Sequence, residues 1–235
     1  MLQSLIRCSA IVLCCLLVSC AQPVRESKQP TPPETTHSAD KRGAAVYAVD
    51  PESSELHILV YRGGTLARLG HNHVLSSRSL SGDAWLHPDF SRSGFQIILP
   101  VESLVIDDAQ TRAAHGQEFA AQVPQKDIDG TRRNLMKPEV LDGERFPQIR
   151  LVSSTITGTA SAPKVMAHVT IKEVTRELEI PLSLSVQRSR LEASGEFDIL
   201  QSAFGITPFS VALGALQVQD RLHVTYRVVA RRQEK

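Results

Sequence analysis

Apolar side chains at every second position constrain the fold of this chain more than any other feature of its sequence. The clearest run covers residues 178–186, where Leu178, Ile180, Leu182, Leu184 and Val186 alternate with mostly polar residues. Because successive side chains of a β-strand point to opposite faces, this segment is predicted to be a strand with one buried face. The same alternation occurs at residues 55–60 and 222–230, and further strands are predicted at residues 80–87, 94–104, 149–158, 164–172 and 190–199. Many short strands of this kind favour an all-β fold, either a sandwich or an antiparallel barrel.

Residues 109–141 break this alternation. Good helix formers occupy residues 109–123 and 127–141, with Pro124 between them. Phe119 and Val123 are spaced as on one face of a helix. One or two short helices are therefore predicted as an insertion between strands.

All four cysteines of the chain lie within its first 20 residues, at Cys8, Cys14, Cys15 and Cys20. The rest of the sequence can therefore form neither a disulfide nor a thiolate metal site. A short basic start and an apolar run too short to span a bilayer predict a secretory signal peptide over residues 1–19. The sequence Leu17-Val18-Ser19-Cys20 resembles a bacterial lipobox, which implies that Cys20 carries a diacylglycerol anchor.

Residues 20–46 are predicted to be a disordered tether behind this anchor. They are rich in Pro, Thr and charge, so they cannot bury enough apolar surface to fold. The folded domain is predicted to span residues 47–232. Ala21 follows the cysteine where Asp would signal retention in the inner membrane of enteric-type bacteria. An anchored position in the outer membrane, facing the periplasm, is therefore expected.

Charge and motifs both argue against several classes of function. The chain has 26 Lys and Arg against 25 Asp and Glu, and removing residues 1–19 removes only Arg7, which leaves 25 against 25. A neutral chain with 5% aromatic residues gives no reason to expect a nucleic-acid partner. The sequence has no Gly-x-Ser-x-Gly elbow, no glycine-rich phosphate loop and no His-Glu-x-x-His helix. Asp107 and Asp108 are interpreted as a solvated turn or a helix cap, so a binding protein is favoured over an enzyme.

A histidine pair, His71 and His73, is the sharpest local feature. On a strand the two rings would face the same side, close enough to share a ligand. Three roles stay open for the pair: a structural or surface role, hydrogen bonding to a ligand head group such as a quinone or phosphate oxygen, and metal binding. Arg68 could add a cationic donor for an anionic head group. A metal site would need a third ligand, for which the candidates are His57, His115, His168 and His223.

Several segments, taken in their order along the chain, resemble the YceI-like family of periplasmic lipid-binding proteins. The resemblance rests on residues 47–54 (YAVDPESS), 98–104 (ILPVESL), 133–149, 169–176 (VTIKEVTR), 197–199, 203–206 and the strand near Asp220. It covers about residues 47–230. It implies an eight-stranded, lipocalin-like antiparallel barrel whose apolar interior holds a long isoprenoid chain.

This sequence departs from the family pattern at two places. Glu173 stands where a Gly is usual in a hairpin, which implies a different turn, because Gly tolerates a positive φ and Glu does not readily. The helical stretch at residues 109–137 is longer than usual and is expected to reshape the mouth of the barrel.

Taken together, the expected protein is an exported lipoprotein that carries or sequesters an isoprenoid-type ligand, such as a quinone or polyprenol. The expected partners are this ligand, which is also the only cofactor-like group implied, and the membrane through Cys20. Whether the domain forms a homodimer is left open. The alternatives are a metal-binding envelope protein using His71 and His73, and a passive envelope stress component. The expected ligand-binding residues are Leu56, Ile58, Val60, Arg68, His71, His73, Leu178, Ile180, Leu182 and Leu184, on the assumption that the apolar strand faces point inward.

Overall fold

The computed structural model describes residues 41–233. Of the predicted signal peptide and tether, residues 1–40, including Cys20, lie outside the described residues. The strands are β1 (Ala45–Val49), β2 (Glu55–Gly63), β3 (His73–Ser77), β4 (Ser81–Leu86), β5 (Gly94–Pro100), β6 (Val105–Ile106), β7 (Gln148–Thr159), β8 (Ala162–Ile171), β9 (Val174–Glu179), β10 (Ser183–Val186), β11 (Arg190–Leu200), β12 (Ser210–Val211) and β13 (Leu216–Arg232). Two α-helices, α1 (Ala109–Ala114) and α2 (Gln125–Leu135), lie between β6 and β7. The predicted all-β fold with short inserted helices is confirmed.

The strand pairing forms an antiparallel meander in which most strands pair with their sequence neighbours. β1 and β2 both pair with β13 along the same edge, so together they act as one strand broken by the turn at residues 50–54. β3 with β4, and β5 with β6, are joined in the same way, because β2 pairs with β3, β1 with β4, β4 with β5 and β3 with β6. β9 and β10 also run on from one another, since β9 pairs with β8 and β10 with β11. Within residues 41–233, these four composite strands and β7, β8, β11 and β13 make eight strands around one interior, with β12 as a small addition to β13.

The hydrogen-bond ladder is interrupted between β9 and β10, where the chain crosses from β8 to β11. Ile180 keeps one backbone bond to β8, from its N–H to the Val165 carbonyl at 2.9 Å. The Pro181 carbonyl next to it accepts a hydrogen bond from Tyr226 Oη at 2.8 Å. A Cβ on Gly195 would lie 2.1 Å from that carbonyl oxygen, so only glycine lets β11 approach this break so closely.

Phe119, in the insertion that follows β6, covers part of the outer wall of the barrel. Leu59 and Tyr61 point away from the interior, because they alternate with the inward residues of β2. Phe119, just after α1, packs on Leu59 and Val74 and stacks edge-on against Tyr61 at 5.5 Å between ring centroids. The insertion therefore buries an apolar patch that would otherwise lie in water.

The antiparallel order sorts the connections into two ends. The helical end comprises residues 64–72, 107–147, 172–173 and 201–215, and the terminal end comprises residues 41–44, 87–93, 160–161 and 187–189. At the helical end, Val101, Leu104 and Phe204 are each 1% exposed and belong to the main core inside the barrel. Ile128 and Leu135 of α2 pack against this core. The helical end is therefore filled with side chains.

The hairpin between β8 and β9 turns without a glycine. Its two turn residues are Lys172 and Glu173, and the positive φ of 55° falls on Lys172, not on Glu173. Lys172 Nζ also donates to the Pro138 carbonyl at 2.7 Å, which ties this turn to the segment after α2.

No helix among the described residues is long and apolar enough to cross a bilayer.

Candidate functional site

An apolar cavity of about 180 Å³ runs inside the barrel and is lined by all eight strands. None of its lining residues carries a charge. Trp85 Nε1 donates to the Arg92 carbonyl at 3.1 Å, and Ser93 Oγ accepts from the His87 N–H at 3.0 Å. Tyr226 Oη donates a hydrogen bond to the Pro181 carbonyl, and burial raises the pKa of this phenol above its ordinary value. The polar atoms of the wall are therefore already paired, and the surface left for a ligand is hydrocarbon.

The cavity lining spans the barrel between its two ends, and it includes Ile149 and Ile171 near the helical end. The core residues that fill the helical end, such as Leu104 and Phe204, lie beyond the cavity lining. At the terminal end the lining reaches Leu86, the last residue of β4, and Gly94, the first residue of β5. Phe90, in the turn between these strands, also lines it. The helical insertion lies at the filled end of the barrel, and its expected effect on the mouth stays a prediction.

Most of the apolar residues predicted to bind a ligand lie on this lining. Leu56, Ile58, Ile180, Leu182 and Leu184 all line the cavity. The two others, Val60 and Leu178, pack against the same core without lining the cavity. The assumption that these apolar strand faces point inward agrees with the structure, and the contact of these residues with a ligand stays a prediction.

The predicted polar ligand-binding residues lie elsewhere, at the helical end. Arg68 is exposed in a short 3-10 turn, Ala67–Leu69, and His71 precedes β3. His73 is the first residue of β3, and its ring centroid lies 6.3 Å from that of His71. Neither these histidines nor Arg68 line the cavity. Across residues 41–233, no three His, Cys, Asp or Glu side chains are placed to hold a metal ion, so the pair gains no third ligand there.

His73 instead belongs to a buried ionic network that the sequence did not reveal. Its Nδ1 lies 2.6 Å from Oδ2 of Asp107, whose side chain is fully buried. Arg112 Nη1 donates to Asp107 Oδ1 at 2.5 Å and to the Asn72 carbonyl at 2.7 Å. Burial alone would raise the pKa of Asp107, but the hydrogen bonds from His73, the Val74 N–H and Arg112 outweigh it and hold that pKa below its ordinary value. The network therefore joins α1 to β3 through the buried Asp107 carboxylate.

The sequence predicted the role of Asp108 correctly but did not predict that of Asp107. Asp108 caps α1 by accepting the Thr111 N–H at 2.9 Å, as a helix cap should. Asp107 takes a φ of 55°, which turns its side chain inward toward Arg112. The sequence feature that could have indicated the role of Asp107 is Arg112, a charged residue in a short helix that must bury one of its faces.

Three of the candidate third ligands, His57, His115 and His223, lie together on the outer wall. His57 Nδ1 and His115 Nε2 lie 3.0 Å apart, although 58 residues separate them in the chain. His223 Nδ1 lies 2.8 Å from Asp198 Oδ1. His73 pairs with Val60, three residues from His57, so His57 and His73 face opposite sides of the sheet. His168 stands apart from these, with Nε2 3.8 Å from Glu177 Oε1. The structure thus brings none of the four predicted third ligands to His71 and His73.

Burial lowers the pKa of both rings of the outer pair. For His57, the charge of Glu55 partly opposes this effect and that of Arg78 adds to it. For His115, the neighbouring His57 and His223 lower the pKa further. Both rings are therefore held in the neutral form near neutral pH.

Comparisons with known proteins agree with this fold. The sequence matches the YceI-like domain over residues 47–230. The structure is similar to BcnA of Burkholderia cenocepacia, at 16% identity and a TM-score of 0.57, covering 77% of this chain and 99% of that one. It is also similar to a polyisoprenoid binding domain from Saccharophagus degradans implicated in plant cell wall breakdown, at 10% identity and a TM-score of 0.54, covering 80% of this chain and 99% of that one. No curated protein matches the sequence significantly.

Proposed function

Because this chain is a member of the YceI-like family, we propose that it binds a long isoprenoid-type chain inside the barrel and carries or sequesters it. The observation that carries the proposal is the uncharged cavity lined by all eight strands. A slender apolar chain needs no polar partner, and its burial contributes roughly 25 cal/mol for each Å² removed from water. The polyisoprenoid binding domain with the same fold supports this choice of ligand class.

We propose binding rather than catalysis on the same grounds. An active site needs polar groups that converge on a reacting atom. The hydroxyl and indole groups of this cavity wall are occupied by hydrogen bonds to the protein itself. A quinone or a polyprenol would satisfy the site equally well, because both present a long isoprenoid tail. The tail would enter from the terminal end, because core side chains such as Leu104 and Phe204 fill the helical end.

Native mass spectrometry of the domain tests this function. Nearly the whole chain of each similar structure aligns with about four-fifths of this one, so residues 41–235 are expected to fold on their own. We expect the domain, exported and purified without detergent, to carry one lipid whose added mass disappears on organic extraction. That mass also reports the number of isoprene units. Extracted protein that takes up no lipid after incubation with a total membrane extract would contradict the proposal.

We further propose that the protein is an exported lipoprotein, anchored through Cys20 in the outer membrane and facing the periplasm. The lipobox-like sequence at residues 17–20 supports this location. Two or more acyl chains anchor stably, because each buried methylene contributes roughly 0.8 kcal/mol. We expect Cys20→Ser to move the protein from the membrane fraction to the soluble periplasmic fraction. Replacement of another cysteine of this segment, Cys15→Ser, is the matched control and should leave the protein in the membrane. A Cys20→Ser protein that stays with the outer membrane would rule out this anchor.

A further inference from the structure

The outer wall of the barrel carries a pair of histidines that the proposed lipid function does not use. His57 lies on β2, and His115 ends α1 in the helical insertion. Both are half-buried, and their rings meet nearly at right angles, with 4.9 Å between centroids. Their Nδ1 and Nε2 atoms lie 3.0 Å apart. Two neutral imidazoles at this distance can share one hydrogen bond, in which one ring N–H donates to the other nitrogen.

The same distance also fits two ligands of one metal ion. Imidazole nitrogens bind transition metals at about 2.0–2.1 Å. Two such bonds to nitrogens 3.0 Å apart enclose an angle of about 91–97° at the metal, from twice the arcsine of half that distance over the bond length. This is close to the 90° between neighbouring ligands in a square-planar or tetragonal site, which Cu²⁺ and Ni²⁺ favour. It is smaller than the roughly 109° of the tetrahedral sites that Zn²⁺ favours.

The surroundings of the pair suit a cation. On the neighbouring strand, His223 pairs with Leu59, and His57 pairs with Thr225, so His223 is a diagonal neighbour of His57 on the same outer face. Asp198 Oδ1 holds His223 Nδ1 at 2.8 Å, and Glu196 Oε2 lies 3.6 Å from its Nε2. These two carboxylates place negative charge next to His223, on the same face of the sheet as His57.

We propose that His57 and His115 form a binding site for one divalent transition-metal ion with a preference for Cu²⁺. No third His, Cys, Asp or Glu among residues 41–233 is placed to join them, so water supplies the remaining ligands on the half-exposed side. His223 lies next to the two ligands without binding the ion, and Asp198 orients it. The ion would join the helical insertion to the barrel wall, because one ligand comes from each. This site lies outside the barrel and is independent of the lipid cavity.

Copper titration of residues 41–235, which exclude His37 and all four cysteines, tests the proposal. We expect isothermal titration calorimetry at pH 7.5 to give one Cu²⁺ per chain, and electron paramagnetic resonance of that complex to show coupling to two imidazole nitrogens. His57→Ala and His115→Ala should each weaken Cu²⁺ binding by at least about tenfold, since each removes one of two protein ligands. His115→Gln keeps a hydrogen-bonding side chain for His57 and should weaken binding as much as His115→Ala does.

The predicted metal pair at the helical end supplies the control. The double variant His71→Ala/His73→Ala should bind Cu²⁺ as the wild type does, because His73 Nδ1 is already held by Asp107. If that variant loses copper and the His57 and His115 variants keep it, the site is at His71 and His73 and the proposal is overturned. A wild-type domain that binds no stoichiometric Cu²⁺ also overturns it, and in that case the 3.0 Å contact is a hydrogen bond alone. Lipid occupancy in native mass spectrometry should be unchanged in every variant, so failure of the copper site would be distinguishable from failure of the lipid function.

Discussion

Replacing Ala193 with tryptophan should empty the barrel of its lipid. Ala193 is a small residue of β11 on the cavity lining, and its neighbours across the strands, Leu184 and Val228, also line the cavity. An indole at this position would occupy the space that the isoprenoid chain needs. We expect lipid occupancy, measured by native mass spectrometry, to fall at least about tenfold, which corresponds to 1.4 kcal/mol of binding free energy.

The stability of the same variant provides a second readout. Inserting a large side chain into a fully packed core typically costs about 1–3 kcal/mol. In the Ala193→Trp variant the cavity accepts the added atoms, so we expect the free energy of unfolding of the lipid-free domain to stay equal or to rise. Ser185→Trp is the matched control. Ser185 is exposed on β10 beside the cavity-lining Leu184, and a surface change of this kind should alter stability by no more than about 0.5 kcal/mol and leave lipid occupancy intact. Full lipid occupancy in Ala193→Trp would show that the ligand lies outside this cavity.

Removing the buried side chain of Arg112 should strongly destabilise the domain. Its guanidinium group contacts Asp107, the Asn72 carbonyl and the Ala121 carbonyl, and its side chain is 5% exposed. Arg112→Ala would leave the buried Asp107 carboxylate without its cationic partner. Breaking a buried ion pair in this way costs about 3–5 kcal/mol. For a domain of this size, this corresponds to a fall in melting temperature of about 6–20 °C, measured by differential scanning calorimetry.

Arg221→Ala is the matched control for this prediction. Arg221 also pairs with an aspartate, Asp198, at 2.8 Å, but the side chains of both partners are exposed, at 67% and 40%. Exposed pairs contribute about 0–1 kcal/mol, so the melting temperature should change little. Equal losses in the two variants would mean that burial of the Arg112 pair carries no special weight.

The Asp107 network also predicts a direction for the effect of acid. The pKa of Asp107 is lowered in the folded state. Its contribution to stability is therefore fully present above the unfolded value of about 3.9 and is lost as the pH falls through the lowered folded value. The difference in stability between the wild type and Arg112→Ala should shrink in that acid range.

Alternation of apolar residues was sufficient to predict the all-β fold and most of the cavity wall. Leu56, Ile58, Leu182 and Leu184 sit on the lining because a two-residue period leaves no other way to bury one face of each strand. The same rule left a clue unused at Leu59, an apolar residue at a position assigned to the wetter face. The structure explains it, because Phe119 of the insertion covers Leu59.

The remaining features depend on contacts between distant segments, which a local pattern does not encode. The His57–His115 contact joins β2 to the helical insertion, and the Asp107–Arg112 pair depends on a single left-handed residue before α1. The break at Pro181 could be located from the sequence, since proline cannot donate to a ladder. The contacts that hold this break against β11 and β13 depend on Gly195 and Tyr226, which lie on other strands.

The position of Lys41, the first described residue, limits how far the cavity can move away from a membrane anchor. Lys41 lies at the terminal end, where its side chain pairs with Asp83 and sits over the ring of the cavity-lining Trp85, 4.9 Å from the centroid. With the anchor at Cys20 proposed above, 21 residues connect the bilayer to this end, a leash of at most about 70–76 Å when fully extended. An entrance at this end, as proposed above, would therefore stay within about 76 Å of the membrane surface. Confinement of this kind raises the effective concentration of a binding site next to its source, so uptake of a bilayer lipid would behave as a nearly intramolecular event.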